Sequence, residues 1–407
     1  MILRLIAGTL ITLMVWSGGA FGQDTELATI NKAIKAKGAK WTAGETSVSK
    51  LSKEARKALC GAIKEPQLEP GITVQPKRAL PTTLDWRNVG GTNWTTPIRN
   101  QANCGSCVAF GAIGALEPLV RIEVNNPTLP IDLSEQHLFS CGGGDCDWGW
   151  YPSMAANYLK YSGTPDETCY PYQSWDGNDY PCLGTCPDWP NRAVKITQWN
   201  WVANNVDNIR GALLGTPLST TMDVYDDFFS YTGGVYEHTW GALAGGHQIT
   251  FVGYNNTEGY WICKNSWGTG WGEAGWFKIK YNNSGIGDST ILMSGTIIPK
   301  TLSLNILLNG GTFTTSNNLF AKAHVTNDAT PDEVDVKVWV QLPDSSLLSL
   351  LNLPMVTIGA NADFDATLLN YTLTGGEPLG NYKIGGRFLS WISGDILCED
   401  IEPFVVR

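Results

Sequence analysis

A thiol attacks a carbonyl usefully only as the thiolate, so a nucleophilic Cys needs an imidazole, a helix N-terminus, or both, to bring its pKa below the free value of about 8.5. Cys107 stands in the run Gln101-Ala102-Asn103-Cys104-Gly105-Ser106-Cys107-Val108-Ala109-Phe110. Behind it apolar residues recur through Val108, Ile113, Leu116 and Val120, which predicts a helix from Ser106 to about Val124. The sulfur then faces the positive end of that helix. For an imidazole partner the choice is narrow, because the chain holds only His137, His238, His247 and His324. A zinc site is the competing use of the Cys104-Gly105-Ser106-Cys107 pair. No second such pair follows at ribbon spacing, and no metal or other cofactor is assigned. Taken alone, Cys107 reads as half of a disulfide or a buried inert thiol; its neighbours change that reading.

The elements that would position such a site follow from pattern. Ser134, behind Leu133, is a plausible N-cap for a second helix. Ile249 to Tyr254 and Tyr260 to Lys264 read as strands joined by an Asn/Gly turn, and Trp276 to Lys280 as a third. At the N-terminus, Arg4 precedes an apolar run from Leu5 to Trp16, and Ala20-Phe21-Gly22 forms a small-x-small site, so residues 1–22 read as a secretory signal peptide. The run is shorter than the ~20 residues a spanning helix needs. The remainder is therefore expected to work outside the cytoplasm, secreted, periplasmic or lumenal, without an integral membrane segment. Residues 23–79, with helical patches at Leu27 to Lys37 and Leu51 to Leu59 and a tail containing Pro66, Pro70 and Pro76, read as a small lid with an extended exit. At Leu80 Trp, Gly and Cys rise together, opening the unit assigned to residues 80–298. Residues 299–407 alternate as strands do, through Leu319, Ala321, Ala323 and Val325 and again through Val334, Val336, Val338 and Val340. They read as a β-sandwich of immunoglobulin-like kind with a tyrosine corner at Tyr382, partner unknown. A net charge of -10 argues against a nucleic-acid surface, and ten Cys in an exported chain point to disulfides.

The segment around Cys107 resembles the nucleophile motif of papain-like cysteine peptidases. His247 in Gly245-Gly246-His247-Gln248-Ile249 and Asn265 in Lys264-Asn265-Ser266-Trp267-Gly268 follow in that family's order, at or just past its spacing of roughly 130–150 residues. The resemblance implies an α+β fold of two lobes, one helical and one a β-barrel, followed here by the all-β sandwich-like unit. It implies Cys107 as nucleophile, His247 as proton-transfer partner in a thiolate–imidazolium pair, Asn265 orienting the imidazole, Gln101 donating to the oxyanion and Trp267 shielding the His–Asn contact. It also implies disulfides Cys104–Cys146, Cys141–Cys182 and Cys169–Cys186, where sequence alone permits fifteen pairings, and leaves Cys263 a buried free thiol.

Ile30-Asn31-Lys32, Trp41-Thr42-Ala43-Gly44 and Leu59-Cys60-Gly61 are similar to the propeptide of the cathepsin B branch, which implies an inhibitory propeptide running backwards through the cleft. Three departures stand out. No His lies between His137 and His238 where that branch carries the His pair of its occluding loop, so an open primed side and endopeptidase cleavage are expected. Val108 replaces the family's Trp. Cys146-Asp147-Trp148-Gly149-Trp150-Tyr151-Pro152 carries an extra residue, and a Trp in place of paired glycines, on the substrate-binding edge. The resemblance places Gly149, Trp150, Tyr151, Gly246 and Leu292 against the substrate, with Leu292 at the base of a second subsite suited to an apolar residue. The rival functions are a binding protein that keeps the fold without catalysis and another Cys-His-Asn acyl transferase. Thiol labelling discriminates the first, and the propeptide favours a peptidase over the second.

Overall fold

The computed structural model describes residues 18–65, 71–74, 79–299, 302–327, 331–359, 362–391, 394 and 396–407. The apolar run of the expected signal peptide lies outside the described residues; Ala20-Phe21-Gly22 falls within the first helix, α1 (Gly18–Lys37). Among the described residues no helix is long and apolar enough to cross a membrane.

The chain divides into two compact units, residues 1–297 and 298–407. The first opens with α1, a short strand β1 (Trp41–Ala43) and helix α2 (Lys53–Ala58). Ser52 caps α2 by accepting from the Ala55 N–H. Arg56 of α2 grips Glu26 of α1 with both terminal nitrogens, at 2.8 and 3.1 Å, so the two helices act as one piece. After β2 (Thr83–Asp85) comes α3 (Cys107–Glu123), the central helix, then α4 (Glu135–Gly142), capped by Ser134, and α5 (Pro152–Tyr161). Beyond the short α6 (Trp189–Arg192) the chain turns to strands: β3 (Lys195–Val202), β4 (Leu218–Tyr225), β5 (Tyr231–Tyr236), β6 (Leu243–Asn255), β7 (Tyr260–Lys264), β8 (Trp276–Lys280) and β9 (Thr290–Ile297), with α7 (Val206–Leu213) before β4.

These strands form one sheet in the order β1-β5-β8-β7-β6-β4-β9-β3, with β2 on β6. The lid contributes its outermost strand, β1, antiparallel to β5. Trp41 of β1 is buried against Tyr231 and Tyr236 and donates its indole N–H to the Glu237 carbonyl at 3.0 Å. Burying a side chain of that size is worth about 2–3 kcal/mol, enough to seat the lid on the sheet edge.

α3 packs on β6 at two glycines. A Cβ on Gly111 would lie 2.7 Å from Gln248 Cγ, and one on Gly114 2.6 Å from Thr250 Oγ1. The missing side chains let the helix that begins at Cys107 close onto the strand that carries His247. The Gln248 amide locks the contact, donating to the Val108 carbonyl at 3.2 Å and Ser219 Oγ at 2.5 Å. Three disulfides, Cys104–Cys146, Cys141–Cys182 and Cys169–Cys186, tie the loops around α3, α4 and α5.

The second unit is a sandwich of two sheets. β10 (Ser303–Leu308), β12 (Asn318–Asn327) and β15 (Ala362–Thr372) form one, in the order β10-β12-β15. The other runs β11-β17-β16-β13-β14, from β11 (Thr312–Phe313), β13 (Asp332–Gln341), β14 (Leu347–Ile358), β16 (Gly380–Ser390) and β17 (Ile396–Val406). Leu319 and Ala321 of one sheet meet Val340, Ile384 and Phe404 of the other in a shared core. Tyr382 donates its hydroxyl to the Pro378 carbonyl four residues upstream at 2.6 Å, the hydrogen bond of a tyrosine corner.

Candidate active site

Cys107 is the first residue of α3 and is wholly buried. Burial pushes its thiol up to about 11, while the backbone N–H groups of Gln248, Gly61, Val108 and Cys107 itself pull the other way. The sulfur therefore lies beside the residue that follows His247 and beside the lid. His247, on β6, donates through Nε2 to Asn265 Oδ1 at 2.8 Å, and the same oxygen accepts the Ser266 N–H. Because Oδ1 can only accept, the imidazole carries its proton on Nε2, and Nδ1, without a partner among the described residues, is the nitrogen left for proton exchange. Trp267 lies over the ring at 4.8 Å between centroids, and both are buried. Burial pushes the His247 imidazole down to about 4. Beneath the lid, desolvation disfavours the charged form of each group.

Gln101 is buried, its Oε1 held by Ser266 Oγ at 2.7 Å. Its Nε2 donates to the Cys104 carbonyl at 2.8 Å and to the lid's Leu59 carbonyl at 3.2 Å. A lid carbonyl thus rests on the donor that an oxyanion would need. The next four residues fill the cleft. The Gly61 carbonyl accepts from Trp150 N–H at 2.8 Å, the Ile63 N–H donates to the Trp150 carbonyl at 2.9 Å, and the Ala62 N–H donates to the Gly246 carbonyl at 3.0 Å. Ala62 and Trp150 pair as a parallel bridge. Close approach depends on absent side chains: a Cβ on Gly149 would sit 1.9 Å from the Gly61 carbonyl oxygen, and one on Gly246 2.3 Å from that of Ala62. Cys60 is the lid residue over Gly245, 2.8 Å from where its Cβ would be.

The expected substrate-facing residues divide. Gly149 and Gly246 line the segment that the lid occupies. Trp150 meets the lid through its backbone N–H and carbonyl, and its indole is buried against Phe139 and Gly142. Tyr151, at the N-cap of α5, is partly exposed, and Leu292 on β9 packs at the edge of the sheet's core. Val108 is buried, and its carbonyl anchors Gln248. Sequence reasoning did not single out Ser266 or Gln248, whose roles lie in which atoms they hold. His137, Cys141 and Cys182 lie within metal-ligating distance of one another, but the two sulfurs are joined as a disulfide, so no thiolate is available. Cys263 is a free, buried thiol in β7.

Residues 80–294 match the sequence profile of the papain family cysteine proteases. The chain is 36% identical over 210 residues to cathepsin B-like CP3 of Giardia intestinalis, spanning 48% of this chain and 68% of that one. It is 34% identical over 230 residues to cysteine proteinase 1 of Entamoeba histolytica, spanning 53% and 69%. Among solved structures, procathepsin L2 of Tenebrio molitor superposes with a TM-score of 0.59 at 26% identity, covering 71% of this chain and 96% of that one. Procathepsin B S9 of Trypanosoma congolense shares the fold, at 0.58 and 23% identity, covering 66% and 97%. Profile, relatives and fold agree with the Cys, His, Asn and Gln that the structure gathers beneath the lid: the chain belongs to the papain family of cysteine peptidases.

Proposed function

We propose that this peptidase is exported as a zymogen and acts as an endopeptidase, with residues 1–22 as signal peptide, 23–79 as inhibitory propeptide, 80–298 as the catalytic unit and 299–407 as an appended β-sandwich. The observation that carries the reading is the path of Leu59 to Ile63. This stretch lies between Trp150 and Gly246 as a peptide would, with its first carbonyl on the Gln101 amide. It runs parallel to Trp150, so it fills the cleft without offering a bond for attack.

Once the segment leaves, water restores the charged pair: the thiol proton passes to Nδ1 of His247, and Asn265 holds the imidazolium through Nε2. The Cys107 sulfur then bonds to the scissile carbonyl carbon. The oxygen takes up negative charge facing Gln101 Nε2 and the Cys107 backbone N–H. His247 gives its proton to the leaving amine as the C–N bond breaks, leaving a thioester. His247 next takes a proton from water, the resulting hydroxide adds to the thioester, and the acid product departs as the C–S bond breaks and the thiolate–imidazolium pair re-forms. Substrates are proteins or peptides, and Leu292 favours an apolar residue in the second subsite.

Endopeptidase action is supported by where the imidazoles lie. His137 is buried against Trp189 and Tyr158, and His238 is stacked on Tyr225 at 3.8 Å and bonded to Asp227. Neither forms a His pair that could hold a substrate's C-terminal carboxylate. Mass spectrometry of the products from an unstructured polypeptide tests this: internal cuts are expected, and serial loss of C-terminal dipeptides would contradict it.

A further inference from the structure

The C-terminal sandwich holds a cavity that its own side chains do not fill. Its volume is about 290 Å³, against about 10 and 20 Å³ for spaces within the peptidase unit. It lies between the two sheets, at the side where β14 and β15 are the terminal strands. Leu348 and Leu350 of β14 line one wall, Leu369 and Tyr371 of β15 the other, and Leu319 and Phe404 lie deeper in the shared core.

The polar groups at its rim are already spent. The Tyr371 hydroxyl donates to Glu377 at 2.7 Å, and the same carboxylate accepts the N–H groups of Thr374 and Gly375 at 3.0 and 2.8 Å. The Tyr382 hydroxyl is held in its corner. An occupant therefore finds apolar walls and no free polar partner, while Leu347 and Leu348 stand exposed beside the opening. A ~150 Å³ apolar cavity accommodates one benzene ring, so by proportion this one takes roughly twelve carbon atoms, more than a single side chain supplies.

We propose that this cavity binds the unbranched hydrocarbon chain of a single-chain lipid, which enters between β14 and β15 and leaves its polar end in water. The internally paired rim makes binding indifferent to that polar end, so a fatty acid and the matching alcohol bind alike.

The test uses the full chain carrying Cys107→Ala to prevent self-digestion, titrated with dodecanoate below its micelle concentration and with dodecanol below its solubility limit, by calorimetry and thermal unfolding. Saturable binding of about one chain per molecule is expected, with affinities for the two probes within about threefold and a negative heat-capacity change. The melting of the C-terminal unit should rise with probe concentration. Leu350→Trp and Leu369→Phe fill the space and should each weaken binding at least about tenfold. Absence of saturable binding, binding that requires the carboxylate, or uptake from vesicles with none of the free probe would each overturn the proposal. So would unchanged binding in both filled variants. If a filled variant fails to fold, the stoichiometry and head-group indifference of the parent chain still decide the matter.

Discussion

Gln101 shows how one side chain can serve two states. Its Nε2 now holds the Leu59 carbonyl, and its Oε1 is pinned by Ser266. On the proposed mechanism the pin from Ser266 keeps the amide aimed after the lid leaves, so its donor is organised before an oxyanion forms. Removing one such donor typically costs about 10²- to 10³-fold in kcat. We predict that Gln101→Ala lowers kcat by about two orders of magnitude with little change in KM, measured on matured enzyme with a fluorogenic peptide. His247 governs a second prediction. Its closed-state pKa is depressed to about 4 from 6.5. Uncovering returns the imidazole toward water and raises its pKa from that value, so the uncovered site binds more protons than the covered one and the closed state loses stability as pH falls toward 4. Hydrogen exchange over Leu59 to Ile63 in a Cys107→Ala precursor, corrected for intrinsic rates, should quicken across that window. It should stay flat when His247→Asn is added.

At the scale of elements, the lid is held by β1 at one end and by glycine contacts at the other. A methyl on Gly61 would lie 1.9 Å from the Gly105 carbonyl oxygen, and Gly105, held by its N–H to the Cys146 carbonyl at 3.0 Å, is the side less able to yield. Gly61→Ala should therefore unseat Leu59 to Ile63 while leaving β1 docked. The uncleaved variant should react with an epoxide thiol inhibitor at neutral pH, and the parent precursor should not. Much of this level was legible in the sequence. The periodicity behind Ser106 gave α3 to within a residue of its ends, because an apolar 3.6-residue repeat and a buried helix face are the same fact, and Trp276 to Lys280 is a strand as read. What could not be read was where the Trp150 indole goes, because the space left by Gly142 that takes it inward is a tertiary feature.

For the whole molecule, two units with separate cores imply two largely independent stabilities. The alternating runs from Leu319 and from Val334 made the sandwich legible, since one buried face per strand imposes a period of two. The cavity behind β14 was not legible, because it depends on how far two sheets stand apart. Tyr382→Phe removes the corner hydrogen bond to Pro378, worth about 1 kcal/mol. It should lower the C-terminal melting transition by several degrees, leaving the peptidase transition and peptide cleavage unchanged.

The most direct test of a Cys107–His247 peptidase held shut by its own N-terminal segment is cleavage of an internally quenched peptide by the purified precursor before and after acidification. Turnover that appears only after acid release of the lid, is blocked by an epoxide thiol inhibitor and is absent in Cys107→Ala is the predicted result. Turnover that persists in Cys107→Ala, or none in folded, lid-free protein, would contradict the account.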